Sequence, residues 1–187
     1  MRNHHTSRNY TYYENARRLI WSLGSLLFRI TPRPCFAMRR WILKIFGAKI
    51  GVGVRTYPST YVYFPWNLEV GNYTSFGEWV LVYNLGKVSI GERTTISQRV
   101  HLCAGTHDYT LPSMPLMKLP ITIHDDVWVC ADAFVGPNVS IGNRAIVAAR
   151  GVVMKDIECD SIVGGNPAKF IKRRTHAESI HASRGHS

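Results

Sequence analysis

Cysteine is scarce in this 187-residue chain, and its placement argues against cysteine chemistry. Cys35, Cys103, Cys130 and Cys159 form no CxxC pair and follow no secretory leader, so reduced thiols in a cytoplasmic setting are expected. Long apolar runs are missing too. The longest, Leu19 to Ile30, is broken by Ser22, Gly24, Ser25 and Arg29, and a spanning helix needs roughly 20 residues. Acid is the third shortage, since 12 Asp and Glu stand against 23 Lys and Arg for a net charge of +11. The excess sits at the ends: residues 1–40 carry +7, residues 169–187 carry +4, and residues 41–168 are neutral. No basic stripe runs along the middle, so nucleic-acid binding is not expected. The basic ends suit an acidic membrane surface or the phosphates of a small ligand.

What is present divides the chain into a basic helical segment at 1–47, one domain at 48–174 and a mobile tail at 175–187. Tyr10 to Ile30 reads as a helix that Pro32 and Pro34 stop. A second, shorter helix follows, because Met38, Trp41, Ile42, Ile45 and Phe46 share one stripe, Arg40 and Lys44 lie off it, and Gly47 stands at the C-terminal cap. Covering the open end of the following domain and touching a membrane surface are the two roles such a segment suits.

From Ile50 onward the period is six. Inward aliphatic or aromatic positions recur at Val70, Phe76 and Val82, at Ile90, Ile96 and Leu102, and then at Ile123, Val129, Val135, Ile141, Val147 and Val153. Small or β-branched residues recur four places later, at Thr74, Val80, Thr94, Val100, Thr106, Val127, Ala133, Val139, Ala145 and Gly151. Glycine often follows the aliphatic, as at Gly71, Gly91 and Gly142, and is expected to supply the turn conformations. Such a period builds an all-β prism in which three hexapeptides complete a triangular rung and rungs stack at about 4.8 Å. Twelve positions give four rungs, with Ile50 to Asn67 as a looser first one.

Two interruptions break the period, and function is expected there because the prism only positions what its loops carry. One is small, around Asn84-Leu85-Gly86-Lys87; the other extrudes Asp108 to Thr122 with Pro112, Pro115 and Pro120. Of the three histidines within the repeats, His101, His107 and His124, only His107 stands at the base of the extruded loop. Position alone leaves it either a catalytic group or a loop anchor. Trp128 precedes an inward residue and so belongs on the outer surface, while Lys155, Lys169, Lys172, Arg173 and Arg174 make the C-terminal end basic. Cys103 and Cys130 read as small turn residues, and neither Gly51-Val52-Gly53 nor Gly164-Gly165 completes a phosphate-loop motif.

Four segments in order carry a resemblance: Pro120 to Trp128, Val135 to Gly142, Val153-Met154-Lys155-Asp156, and Gly164-Gly165-Asn166-Pro167-Ala168-Lys169. They resemble the signatures of the hexapeptide-repeat acetyltransferases with a left-handed parallel β-helix. Ile96 to Asp108, preceded by Phe64-Pro65-Trp66-Asn67-Leu68, is most similar to the colanic-acid-type exopolysaccharide O-acetyltransferases. The resemblance implies acetyl transfer from acetyl-CoA to a sugar hydroxyl in a homotrimer whose sites lie between adjacent prisms. It implies His107 as general base, Asn84 at the acceptor, and Asp108 either orienting the imidazole or anchoring the loop. For the cofactor it implies Trp128, Ala131, Ala149, Met154, Lys155, Lys169 and Lys172, with no metal. Met154 stands where Thr is common, and Lys169 and Lys172 where some relatives have Arg, which keeps charge but gives up bidentate phosphate pairing. Two rival readings are a zinc hydratase using His101, His107 and His124, and a β-helix scaffold without turnover.

Overall fold

The computed structural model describes residues 10–175. The expected mobile tail at 175–187 and the first nine residues therefore fall almost wholly outside the described part.

Three parallel sheets form the faces of a prism. The first face stacks Lys49–Ile50, Leu68–Val70, Val88–Ile90, Ile121–Ile123 and Val139–Ile141. The second stacks Ser75–Phe76, Thr95–Ile96, Trp128–Val129, Ile146–Val147 and Ser161–Gly164, and the third runs from Tyr61–Val62 to Val152–Val153. Registers give the rung directly: Ile123 lies on Ile141 and Val129 on Val147, eighteen residues on in both cases. The expected looser first rung is a full member, because Ile50 pairs with Val70, Arg55 bridges to Ser75 and Tyr61 pairs with Leu81. Ile157 and Val163 begin one more turn, so the solenoid has about six.

All twelve inward positions are buried, and of the small positions only Thr106 escapes burial. The axis is thus a continuous column of apolar side chains, which is the main stabilising term for a fold with so few local contacts. The expectation for glycine needs correction. Gly71, Gly91 and Gly142 do not adopt positive φ; a Cβ on Gly71 would lie 2.6 Å from the Gly91 carbonyl carbon of the next rung. Close stacking is what demands glycine there. The left-handed turn falls two places later, on non-glycine residues such as Tyr73, Arg93, Asp126 and Arg144, whose φ values lie between 51 and 61°.

The N-terminal segment is a pair of packed helices. Helix α1 (Tyr12–Ile30) starts with Thr11 capping Glu14 while the Glu14 carboxylate returns to the Thr11 amide, a capping box. Helix α2 (Phe36–Ile45) ends at Gly47, whose φ of 94° fits the expected cap. Trp21 and Phe46 join the two, ring centroids 5.0 Å apart, and the Trp21 indole donates to the Val62 carbonyl at 2.9 Å. The expected stripe of α2 is split: Ile42 is buried, Met38, Trp41 and Ile45 are exposed, and Arg39 is buried instead. Its guanidinium satisfies the carbonyls of Thr31, Pro32, Arg33 and Thr56, tying the interhelix link to the prism.

Candidate active site

Every insertion falls on the same edge, where the third face turns into the first. At a regular corner the next inward position is six residues on; here Val62 to Val70 and Val82 to Ile90 take eight, and Leu102 to Ile123 takes twenty-one. The first of these contains the short 3-10 turn Pro65–Asn67, and the second contains Asn84. Asn84 has no exposed surface: its Oδ1 accepts from the Phe64 amide at 2.9 Å and its Nδ2 donates to the Phe64 carbonyl at 2.6 Å. Asn67 answers with Nδ2 donating to the Leu85 carbonyl at 2.8 Å. The two small insertions are thereby stitched to each other.

The large insertion folds back as a hairpin. Thr106–His107 pairs antiparallel with Leu116–Met117, and the Asp108 amide donates to the Pro115 carbonyl at 3.0 Å. His107 is exposed at its base, and its Nδ1 lies 2.7 Å from the Met114 carbonyl. A carbonyl only accepts, so Nδ1 carries the proton in this contact, and Nε2 is the nitrogen left to accept in the corresponding neutral tautomer. Met114 turns its carbonyl there from a left-handed conformation, φ 41°. Asp108, adjacent in sequence, makes its side-chain bonds within the loop. Its Oδ1 accepts from both the amide and the hydroxyl of Thr110, which hold its carboxyl below the usual range and close the loop tip.

Side chains not singled out in the sequence crowd this edge. Lys118, just past the hairpin, bonds Glu14 of α1 at 2.7 Å and lies over the Tyr10 ring. That pairing, with the Thr11 amide, holds the Glu14 carboxyl below its usual range. Tyr63 and Tyr83 meet edge to face with centroids 4.6 Å apart on the third face. Burial raises both phenols. No sequence pattern marks the Met114 carbonyl, because any residue has one; the Glu14–Lys118 pair joins positions 104 apart and has no local signal.

The residues expected to hold the cofactor fall in four places. Met154, Lys155 and Lys169 line one cavity of about 580 Å³ with Ile157, Phe170 and Arg173. Lys172 lies in the closing strand Lys169–Arg173, paired with Ile162. Trp128 stands exposed on the second face with Nε1 donating to Ser97 Oγ at 2.9 Å. Ala131 and Ala149 stack at the edge between second and third faces, where the Arg150 amide donates to the Ala131 carbonyl. A wider hollow of about 720 Å³ on the first face, with Lys44, Lys49 and His124 at its margin, contains none of these groups.

Among the described residues no cluster of three or more His, Cys, Asp or Glu could hold a metal ion. His101 packs between Tyr83 and Phe134, and His124 Nε2 faces Ser140 Oγ at 3.4 Å. Burial raises the thiols of Cys103 and Cys130, which makes them poor nucleophiles.

The site is thus a prism of hexapeptide rungs with a histidine at the base of an extruded hairpin. No model of a known protein family matches the chain. It is 36% identical over 161 residues to WcaF of Escherichia coli (strain K12), named for colanic acid biosynthesis and acetyl transfer, covering 86% of this chain and 88% of that protein. It superposes on the hexapeptide-repeat acetyltransferase VCA0836 of Vibrio cholerae O1 biovar eltor, solved with acetyl coenzyme A, with TM-score 0.83, 22% identity and coverage of 90% and 93%. A maltose O-acetyltransferase from Clostridium difficile 630 gives 0.76, 24%, and coverage of 89% and 90%. The chain belongs to the hexapeptide-repeat acetyltransferase family, in the group of the colanic-acid-type enzymes.

Proposed function

We propose that this protein is a homotrimeric, cytoplasmic O-acetyltransferase that moves acetyl from acetyl-CoA to a sugar hydroxyl of a surface or exopolysaccharide precursor. The observation that carries the reading is the His107 Nδ1 to Met114 carbonyl contact of 2.7 Å, which leaves Nε2 available as base. In the step, Nε2 takes the hydroxyl proton as the sugar oxygen attacks the thioester carbonyl; the carbon–sulfur bond then breaks, and the imidazolium returns the proton to the departing thiolate. Products are the acetyl ester and free CoA. A positioned base of this kind contributes about 10² to 10⁴ in rate, and holding both substrates in line supplies much of the remainder.

Trp128, Ala131 and Ala149 lie away from the edge that carries His107, so one prism does not offer all assigned groups to one ligand. A homotrimer answers this, with CoA in the groove between the His107 edge of one copy and the next copy. Lys155, Lys169 and Lys172 then meet the phosphates, and Met154 packs the pantetheine. In this reading Asn84 acts through Phe64, by fixing the corner against which the acceptor rests, and Asp108 holds the hairpin that aims His107. The similarity to a protein named for colanic acid biosynthesis supports a carbohydrate acceptor.

The test is acetyl-CoA binding by calorimetry and thiol release for wild type and His107→Ala. Binding by both, with turnover only in the wild type, is expected. Binding by neither overturns the transferase reading.

A further inference from the structure

Helix α1 is apolar on two opposite sides. One side sends Trp21, Gly24 and Phe28 into the molecule. The other presents Leu19, Ile20, Leu23, Leu26, Leu27 and Ile30, each between 55 and 73% exposed. On α2, Met38, Trp41 and Ile45 are likewise 52 to 63% exposed. Met38 Sδ lies 3.8 Å from Thr31 Oγ1, which brings the α2 stripe close to the C-terminal end of α1. Nine large exposed apolar side chains on these two helices are a large apolar display for a soluble monomer, whose biggest patch usually spans roughly 300–600 Å².

Charge around this face has one sign. Arg18, Arg29 and Lys44 are exposed along the helices' polar flanks, and the one acid of residues 10–46, Glu14, is engaged by Lys118. A second copy meeting this face with its own would set that cationic rim against itself. No helix here is long and apolar enough to cross a membrane. A helix of this length, with leucines and isoleucines on its outward side and arginines beside them, next to a second helix that exposes Trp41, has the make-up of one that lies in the plane of a bilayer.

We infer that the outward face of α1 and α2 docks on an anionic lipid bilayer, the apolar stripe entering the headgroup boundary and Arg18, Arg29 and Lys44 meeting lipid phosphates. The Glu14–Lys118 bond then links the docked helix to the hairpin that carries His107. This fixes the His107 edge relative to the membrane surface.

The experiment is flotation of the full chain with phosphatidylcholine vesicles, with and without phosphatidylglycerol, in the absence of acetyl-CoA. Deleting α1 is unsuitable because it would uncover the core around Trp21 and Phe28. Co-flotation with the anionic vesicles is expected. The Leu23→Ser/Leu27→Ser variant should lose roughly tenfold or more in partitioning, and Arg29→Gln and Lys44→Gln about fivefold each, with circular dichroism and thermal midpoint unchanged. Failure of wild type to float with either vesicle overturns the inference. So does unaltered flotation of the double variant, including the case where that variant changes oligomeric state, which would make the face a subunit contact.

Discussion

Along the first-to-second and second-to-third corners, rung after rung turns through a left-handed residue three places past an inward aliphatic. Tyr73, Arg93, Asp126, Arg144 and Asp160 do so on one edge, and Trp79, Arg99, Asp132 and Arg150 on the other. The third-to-first corner does so in regular form only at Asn138. Repetition at the first two edges brings equivalent positions into vertical contact, and opposite charges result: Arg93 on Asp126, Arg144 on Asp160, and Arg99 on Asp132. Exception at the third edge brings unlike segments together, and they are held by side-chain to backbone bonds from Asn67, Asn84 and Asp108. The comparison teaches where a solenoid can place chemistry. A rung that repeats can only repeat a residue, whereas a corner that breaks register can set one histidine against one carbonyl.

The sharpest way to break this contrast is to remove the proposed base and keep the hairpin. His107→Asn retains an amide donor for the Met114 carbonyl and loses Nε2. Activity is expected to fall by about 10² to 10⁴, with acetyl-CoA affinity and thermal midpoint near wild type. A comparable fall in thermal midpoint would mean that His107 chiefly anchors the hairpin. Asn84→Ala should have the largest effect on stability. It strands a buried amide and a buried carbonyl of Phe64 with no room for an alternative partner, at a cost of about 3 kcal/mol. Urea unfolding checks this, and a loss below about 1 kcal/mol would show that the irregular corner does not depend on the bond.

Much of the prism was legible because its period forces burial: a residue such as Val135 or Ile141 has nowhere to point but inward. The resemblance singled out His107, and the structure places it at the base of the hairpin. Two features were not legible, for the same physical reason. Which residue of a corner takes positive φ depends on stacking distance to the next rung, so Gly91 looked like the flexible one while Arg93 turns the chain. The division of α2 between buried Arg39 and exposed Trp41 depends on four carbonyls contributed by other segments. Periodicity within the helix carries no information about those partners.

Threonines sharpen the comparison from the regular side. Thr94 is wholly buried, donates to the His124 carbonyl at 2.8 Å and accepts from the Val127 amide at 3.2 Å, so it joins two rungs. Thr56 occupies an inward position in the first rung, and its hydroxyl has no partner. Thr94→Val should therefore cost about 2 kcal/mol, and Thr56→Val should stabilise by about 1 kcal/mol. Opposite signs from one substitution test whether partner bonds or burial alone set the value of a small residue in the column. Equal signs in thermal unfolding would favour burial alone.

The smallest expected effect concerns pH. Burial between Tyr83 and Phe134 lowers the His101 pKa from its ordinary 6.5, and its Nε2 is a buried atom without a partner. Below about pH 6.5 the unfolded chain takes up a proton that the folded chain resists, so stability falls as pH drops towards the folded value. His101→Phe removes this contribution and keeps the ring contacts. Its thermal midpoint should match or exceed wild type near neutrality, and the gap should widen in acid. Because His101 lies on a regular face, outside the His107 edge, acetyl transfer at neutral pH should be unchanged. A variant that loses activity while gaining stability would extend the functional edge across the third face to Phe134.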